Sequence, residues 1–253
     1  MLKHDGREYL IPDWPAPAKV HACTTMRNGG VSQRPYDSFN LADHVGDTID
    51  AVRQNRALLQ RDWQLPSAPV WLTQVHGKDV LELPAQQPAP YQADASFSIL
   101  PGTVCAVLTA DCLPLLFCDR HGRAVAAAHA GWRGLAAGVI EATIQRYLAV
   151  VGTLQATDLL VWLGPAISPA AFEVGQEVLD AFTARYQDAQ LAFKQTGEAS
   201  WRADLYQLAR LALTQCGVQH IYGGQWCTFT DERFFSYRRD RQTGRIATLI
   251  WRD

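Results

Sequence analysis

Between residues 103 and 151 the chain changes the period of its hydrophobicity, and this change limits the folds open to it. Three apolar runs of strand length come first: TVCAVLTA (103–110), LPLLFCD (113–119) and RAVAAAHA (123–130). From Gly131 onward, GWRGLAAGVIEATIQRYLAV carries its apolar residues at helical spacing, so a helix is expected to begin near Gly134. APVWLTQV (68–75) and DLLVWLGPAI (158–167) read as further strands. QEVLDAFTARY (176–186) and ADLYQLARLALTQCG (203–217) read as amphipathic helices, the second stopped by Gly217. The turn signal Arg120-His121-Gly122 makes 113–119 and 123–130 a hairpin. The tail FFSYRRDRQTGRIATLIW suggests a closing hairpin around Gln242-Thr243-Gly244. Hairpins together with strand-then-helix units predict an α/β fold, a mixed β-sheet with helices packed on it. The Pro- and Gln-rich LPAQQPAPYQ (83–92) reads as a long surface loop that lies too early to divide the chain, so residues 1–253 are expected to form a single domain.

Of the 253 residues 48% are hydrophobic and 19% charged, enough for one large core. A formal net charge of -2 gives no electrostatic draw toward nucleic acid or an anionic membrane. The N-terminal segment lacks a signal peptide's basic-then-apolar order, and no apolar run approaches the roughly 20 residues of a membrane helix. A soluble protein is expected. Six cysteines without a CxxC pair favour reduced thiols in the cytoplasm. Most of them read as small buried hydrophobes. Cys112 is set apart by its neighbours.

His76, Cys112 and His129 each stand where an apolar strand gives way to a loop or helix, the place where α/β proteins present ligand-binding side chains. Imidazole and thiolate are also the preferred donors for zinc. If Arg120-His121 is a two-residue turn, facing residues sum to 241, and Cys112 then lies directly opposite His129; a three-residue turn would leave them near-diagonal. A lone His or Cys at a strand end is more often a packed residue. Three at consecutive strand ends favour a ligand set. His4, His21, His44, His121 and His220 have no comparable context and read as surface or turn histidines. A multicopper oxidase consumes about ten imidazoles, and seven histidines with no His-x-His support one three-donor site instead.

At these residues the sequence resembles the YfiH-like family, also called laccase-domain or polyphenol oxidase-like proteins. The matching text includes Q74-V-H-G77, T109-A-D-C-L-P-L-L-F117 and H129-A-G-W-R-G-L-A-A-G-V139. It extends to T24-T-M-R-N-G-G-V-S32, S38-F-N-L-A-D-H-V-G-D47, G164-P-A-I167, F172-E-V-G175 and F234-F-S-Y-R-R-D240. The resemblance implies a mixed-sheet α/β sandwich and a mononuclear zinc site on His76, Cys112 and His129, with copper as the alternative metal. It also implies phosphorolysis of adenosine, inosine or methylthioadenosine and deamination of adenosine. Phenol oxidation and a peptidoglycan-editing role are likewise attributed to the family.

Three protein ligands would leave a fourth zinc position open, the catalytic pattern. For the phosphate, candidates are Arg133 with the helix N-terminus opened by Gly131-Trp132-Arg133-Gly134, then Arg27 and Arg238 or Arg239; solvated or structural ion pairs explain these arginines equally well. Asn40 and Gln74 are candidates for a purine edge or ribose hydroxyl, and Trp132 for stacking on a base. The competing reading is a metal-free cysteine hydrolase with Cys112 as nucleophile and His129 as its base, acting on a peptidoglycan-precursor amide. A third is a non-catalytic zinc module, disfavoured because no fourth protein ligand is evident. The sequence specifies no oligomeric state.

Overall fold

In the computed structural model, which describes residues 1–253, the apolar runs build two sheets packed face to face. The first has five antiparallel strands in the order Leu2–His4, Arg7–Leu10, Val20–Thr25, Ile246–Arg252, Cys105–Thr109. The second has six, in the order His220–Gly223, Leu159–Leu163, Leu113–Asp119, Val125–Ala130, Ala95–Ser98, Val80–Glu82. It is mixed: parallel at each edge and antiparallel between.

Side-chain alternation sorts the core into layers. Leu113, Leu115 and Phe117 pack with residues of the helices Val139–Val151 and Leu205–Gln215. Their neighbours Leu116 and Cys118 point instead into the space between the sheets, with Val107, Val125, Ala127, Trp162 and Ile250. Ala106, Leu108, Leu249 and Trp251 face outward, beneath Leu59 of the helix Ile49–Asp62. The stack therefore runs helix, sheet, sheet, helices. Strands covered on both faces have no polar side, and all seven residues of Leu113–Asp119 are buried. Each such leucine contributes about 1.5–3 kcal/mol by leaving water.

Four expectations need correction. The hairpin of Leu113–Asp119 with Val125–Ala130 has His129 opposite Pro114 and Val125 opposite Cys118. Facing residues thus sum to 243: residues 120–123 form the loop, and Gly122 and the N–H groups of His121, Arg123 and Ala124 are drawn back onto Asp119. Cys112 lies one residue before its strand and diagonal to His129, though a shift of two leaves both on the same face. The helix starts at Trp132, not Gly134, and Gly138 (φ 97°) ends it before a second helix begins at Val139. Residues 68–75 are mostly irregular, with Leu72–Thr73 their only strand. The tail is no hairpin. Ser236 caps a single helical turn, Tyr237–Asp240, and Ile246–Arg252 pairs with two strands from elsewhere in the chain.

Candidate metal centre

The chain passes from the five-stranded sheet to the six-stranded one in three residues, Ala110-Asp111-Cys112. So abrupt a corner needs an unusual backbone, and Asp111 takes a positive φ of 94°. Its carboxylate holds the bend: Oδ1 accepts from the Thr228 hydroxyl at 2.6 Å and Oδ2 from the Arg238 N–H at 2.6 Å. Cys112 is left half-buried at the open end of the space between the sheets.

A second carboxylate gathers the other two candidates. Asp94 is fully buried. The successive N–H groups of Val75, His76 and Gly77 donate to it at 3.1, 2.9 and 2.7 Å, and His76 adopts φ 59° to wrap this nest. The same carboxylate accepts from His129 Nδ1 at 2.8 Å, which leaves Nε2 free to face the cluster. Burial pushes the Asp94 pKa up, but the His129 and backbone donors outweigh it and hold the carboxyl below its ordinary range.

The donor atoms of His76, Cys112 and His129 all lie within 4.8 Å of one another, with Cys112 Sγ 3.8 Å from His76 Nε2. Two ligands of a tetrahedral zinc, with bonds of roughly 2.0–2.3 Å, stand about 3.5 Å apart, so the three side chains fit one ion. Gly131 makes room for them: a Cβ there would lie 2.7 Å from the His76 ring and 3.0 Å from Cys112 Sγ. Without an ion, burial would raise the Cys112 thiol, yet the charge and hydrogen bonding of His129, with His76, bring it down to about 6. Burial would lower His129, but Cys112 and Asp94 raise it to about 9. Both shifts favour a thiolate–imidazolium pair in the metal-free cluster.

The cluster opens on a cleft of about 400 Å³, also lined by His44, Gln74, Thr109, Tyr237 and Arg245. A larger groove of about 720 Å³ beside Val80–Leu83 brings no set of donors together. Of the residues proposed from sequence to bind substrate, only Gln74 lines the cleft, and its amide is engaged with Leu108, donating at 2.8 Å and accepting at 2.7 Å. Asn40 is fully buried and bonded to Ala42, Asp47 and Arg245. Arg27 pairs with Asp240 at 3.1 Å and lies over Phe235; Arg239 pairs with Asp240 and donates to the carbonyls of Thr228, Phe229 and Phe234. Arg238 donates to Glu173 O at 3.1 Å, and Arg133 stacks over Trp132 at 4.3 Å. Asp94, Tyr237 and Arg245 had no signal as isolated letters, and His44 enters the cleft from the loop before the helix Ile49–Asp62. For Asp111 a signal existed, an acid next to a candidate ligand in an apolar run.

The family model described as multi-copper polyphenol oxidoreductase laccase matches residues 21–253. Purine nucleoside phosphorylase YfiH of Escherichia coli is 56% identical over 243 residues, covering 96% of this chain and 98% of the relative. A purine nucleoside phosphorylase of Pseudomonas aeruginosa is 55% identical over 245 residues, covering 96% and 98%. Among solved structures, a Neisseria meningitidis protein superposes with a TM-score of 0.90 at 50% identity, covering 97% of this chain and 99% of its own. YlmD of Geobacillus stearothermophilus superposes with a TM-score of 0.92 at 31% identity, covering 100% and 98%. With the mixed α/β sandwich, the metal-capable His-Cys-His cluster and relatives matched over nearly their whole length, this chain belongs to the laccase-like YfiH family.

Proposed function

We propose that the protein is a zinc-dependent purine nucleoside phosphorylase acting on adenosine, inosine and methylthioadenosine, with an associated adenosine deaminase activity. The observation that carries this is the cluster itself: three donors of zinc-preferring type, two of them positioned by a buried carboxylate, open on one side to a nucleoside-sized cleft. The relatives named purine nucleoside phosphorylase supply the substrate class. An ion held by His76, Cys112 and His129 would supply Lewis acidity at its open coordination position. Asp94 keeps His129 Nδ1 protonated, so Nε2 is the donor atom, and its backbone nest fixes the His76 loop. In phosphorolysis an oxygen of hydrogen phosphate bonds to C1′ of the ribose as the bond to the purine nitrogen breaks. The phosphate's proton ends on the released purine. Deamination exchanges the 6-amino group of adenosine for the oxygen of water and releases ammonia. The reading makes the enzyme cytoplasmic, in keeping with six unpaired cysteines, and no helix is long and apolar enough to cross a membrane.

Incubation of the zinc-loaded protein with inosine should give ribose 1-phosphate and hypoxanthine only when phosphate is present, whereas adenosine should yield inosine without it. Phenol oxidation by a zinc-only preparation that turns over no nucleoside would overturn the assignment. The cysteine-hydrolase reading draws on the thiolate–imidazolium pair of Cys112 and His129. It prevails if activity survives complete removal of the metal.

A further inference from the structure

The register of the five-stranded sheet places one more side chain at the mouth of the cleft. Ile246 faces Thr109, so the residue before it, Arg245, enters beside Ala110, two residues from Cys112. Its position is fixed by Asn40 and by its own turn: the backbone N–H donates to Asn40 Oδ1 at 2.9 Å, and Nη1 donates to Thr243 O at 2.9 Å and Gly244 O at 3.0 Å. Nε and Nη2 donate to no protein group, and no carboxylate lies within ion-pair distance of the guanidinium. None lines the cleft either; its other charged or titratable walls are His44, His76, Cys112, His129 and Tyr237. A partly buried cation is thus held with two donors free, in a cavity without a counter-charge of its own apart from the Cys112 sulfur.

Desolvation disfavours a cation in such a place, and burial does lower the Arg245 pKa, opposed by the charges of Cys112 and Asp111. An incoming anion removes that penalty. The free Nε and Nη2 share one edge of the planar guanidinium, the edge that matches two oxygens of a phosphate group.

We propose that Arg245 is the anion-binding residue of this cleft, holding a tetrahedral oxyanion of the phosphate class beside the His76–Cys112–His129 cluster. The assignment deepens the phosphorolysis reading and rests on it for the identity of the anion. It also reassigns the role for which Arg27, Arg133 and Arg239 were candidates in the sequence.

The test uses the metal-loaded protein and its Arg245→Gln and Arg245→Lys variants, with metal content and thermal midpoint measured to establish that each is folded and loaded. Inorganic phosphate alone, without nucleoside, is titrated by calorimetry. The expected result is binding by the wild type, weakened about 10–100-fold in Arg245→Gln, the range for losing a charge-assisted bidentate contact, and by less in Arg245→Lys. At saturating inosine the KM for phosphate should rise by a similar factor, while the KM for inosine stays within about twofold. Phosphate affinity unchanged in Arg245→Gln, or a wild type that binds no phosphate, overturns the proposal. So does a parallel rise of both KM values, which would put the guanidinium on the nucleoside. A wild type that binds phosphate through Arg245 yet cleaves no nucleoside leaves the anion site standing and refutes phosphorolysis.

Discussion

Two places on the molecule gather arginine and other polar side chains, and they answer their charges in opposite ways. In the groove formed by Arg27, Asn28, Glu232, Arg233, Arg239 and Asp240, each guanidinium has a partner: Arg27 and Arg239 share Asp240, and Arg233 grips Asp231 at 2.7 Å. In the cleft beside Cys112, no carboxylate answers Arg245, and three donors converge with one side open. A satisfied charge has already spent its interaction energy on the fold. An unsatisfied one, held rigidly, keeps that energy for a ligand. The groove is therefore expected to matter for stability and the cleft for chemistry.

The strongest way to break this contrast is at the cluster. Cys112→Ala should remove the bound metal, about one ion per chain in the wild type, and lower nucleoside cleavage by more than about a thousandfold while leaving the thermal midpoint of the metal-free protein nearly unchanged. Metal analysis and a phosphorolysis assay check it, and retained activity would return the cleft to a structural role. Asp94→Asn should weaken metal binding by about 10–100-fold, because the amide no longer accepts from His129 and the three backbone N–H groups as a carboxylate does. Competition with a chelator measures the loss.

A third expectation concerns protons. In metal-stripped protein Cys112 titrates near 6, not at its ordinary value near 9, so at pH 7 its alkylation by iodoacetamide should be about tenfold or more faster than that of an ordinary thiol. The depressed Cys112 pKa stabilises the fold at high pH and loses its contribution as pH falls through about 6. The raised His129 pKa stabilises it at low pH and loses its contribution as pH rises through about 9. Across that window one contribution grows as the other shrinks, so the thermal midpoint of the stripped protein should change little between about pH 6 and 9 on account of this pair, by thermal unfolding at a series of pH values. The smallest effect belongs to the groove: Arg239→Ala should destabilise by about 1–3 kcal/mol, from its lost ion pair and carbonyl contacts, with the KM for phosphate unchanged within twofold. A raised KM with unchanged stability would erase the distinction between the two regions.

The sequence was most legible where burial is two-sided and local. The runs 103–110, 113–119 and 158–167 became Cys105–Thr109, Leu113–Asp119 and Leu159–Leu163 because apolar length alone specifies such strands. His76, Cys112 and His129 stood out because donor chemistry and strand-end position coincide. What escaped depends on contacts remote in the chain. The loop at 120–123 follows from Asp119 collecting three backbone N–H groups, which no two-residue turn rule anticipates. Arg245 was hidden because the tail read as a hairpin, whereas Ile246–Arg252 is an interior strand between Val20–Thr25 and Cys105–Thr109. Asp94 sits in an unremarkable QADAS; its role exists only once the 75–77 loop has folded around it.

That carboxylate has a consequence for how the enzyme is made. The zinc-finger case is an unfolded chain that the ion itself organises. Here the His129 imidazole and the His76 backbone are set by hydrogen bonds to Asp94, and the thiol by the corner that Asp111 holds. If the cluster takes up an ion as proposed, assembly of the polypeptide and acquisition of the ion would be separable events, in that order. A cell short of metal would accumulate intact but idle protein, ready to be switched on by supply alone.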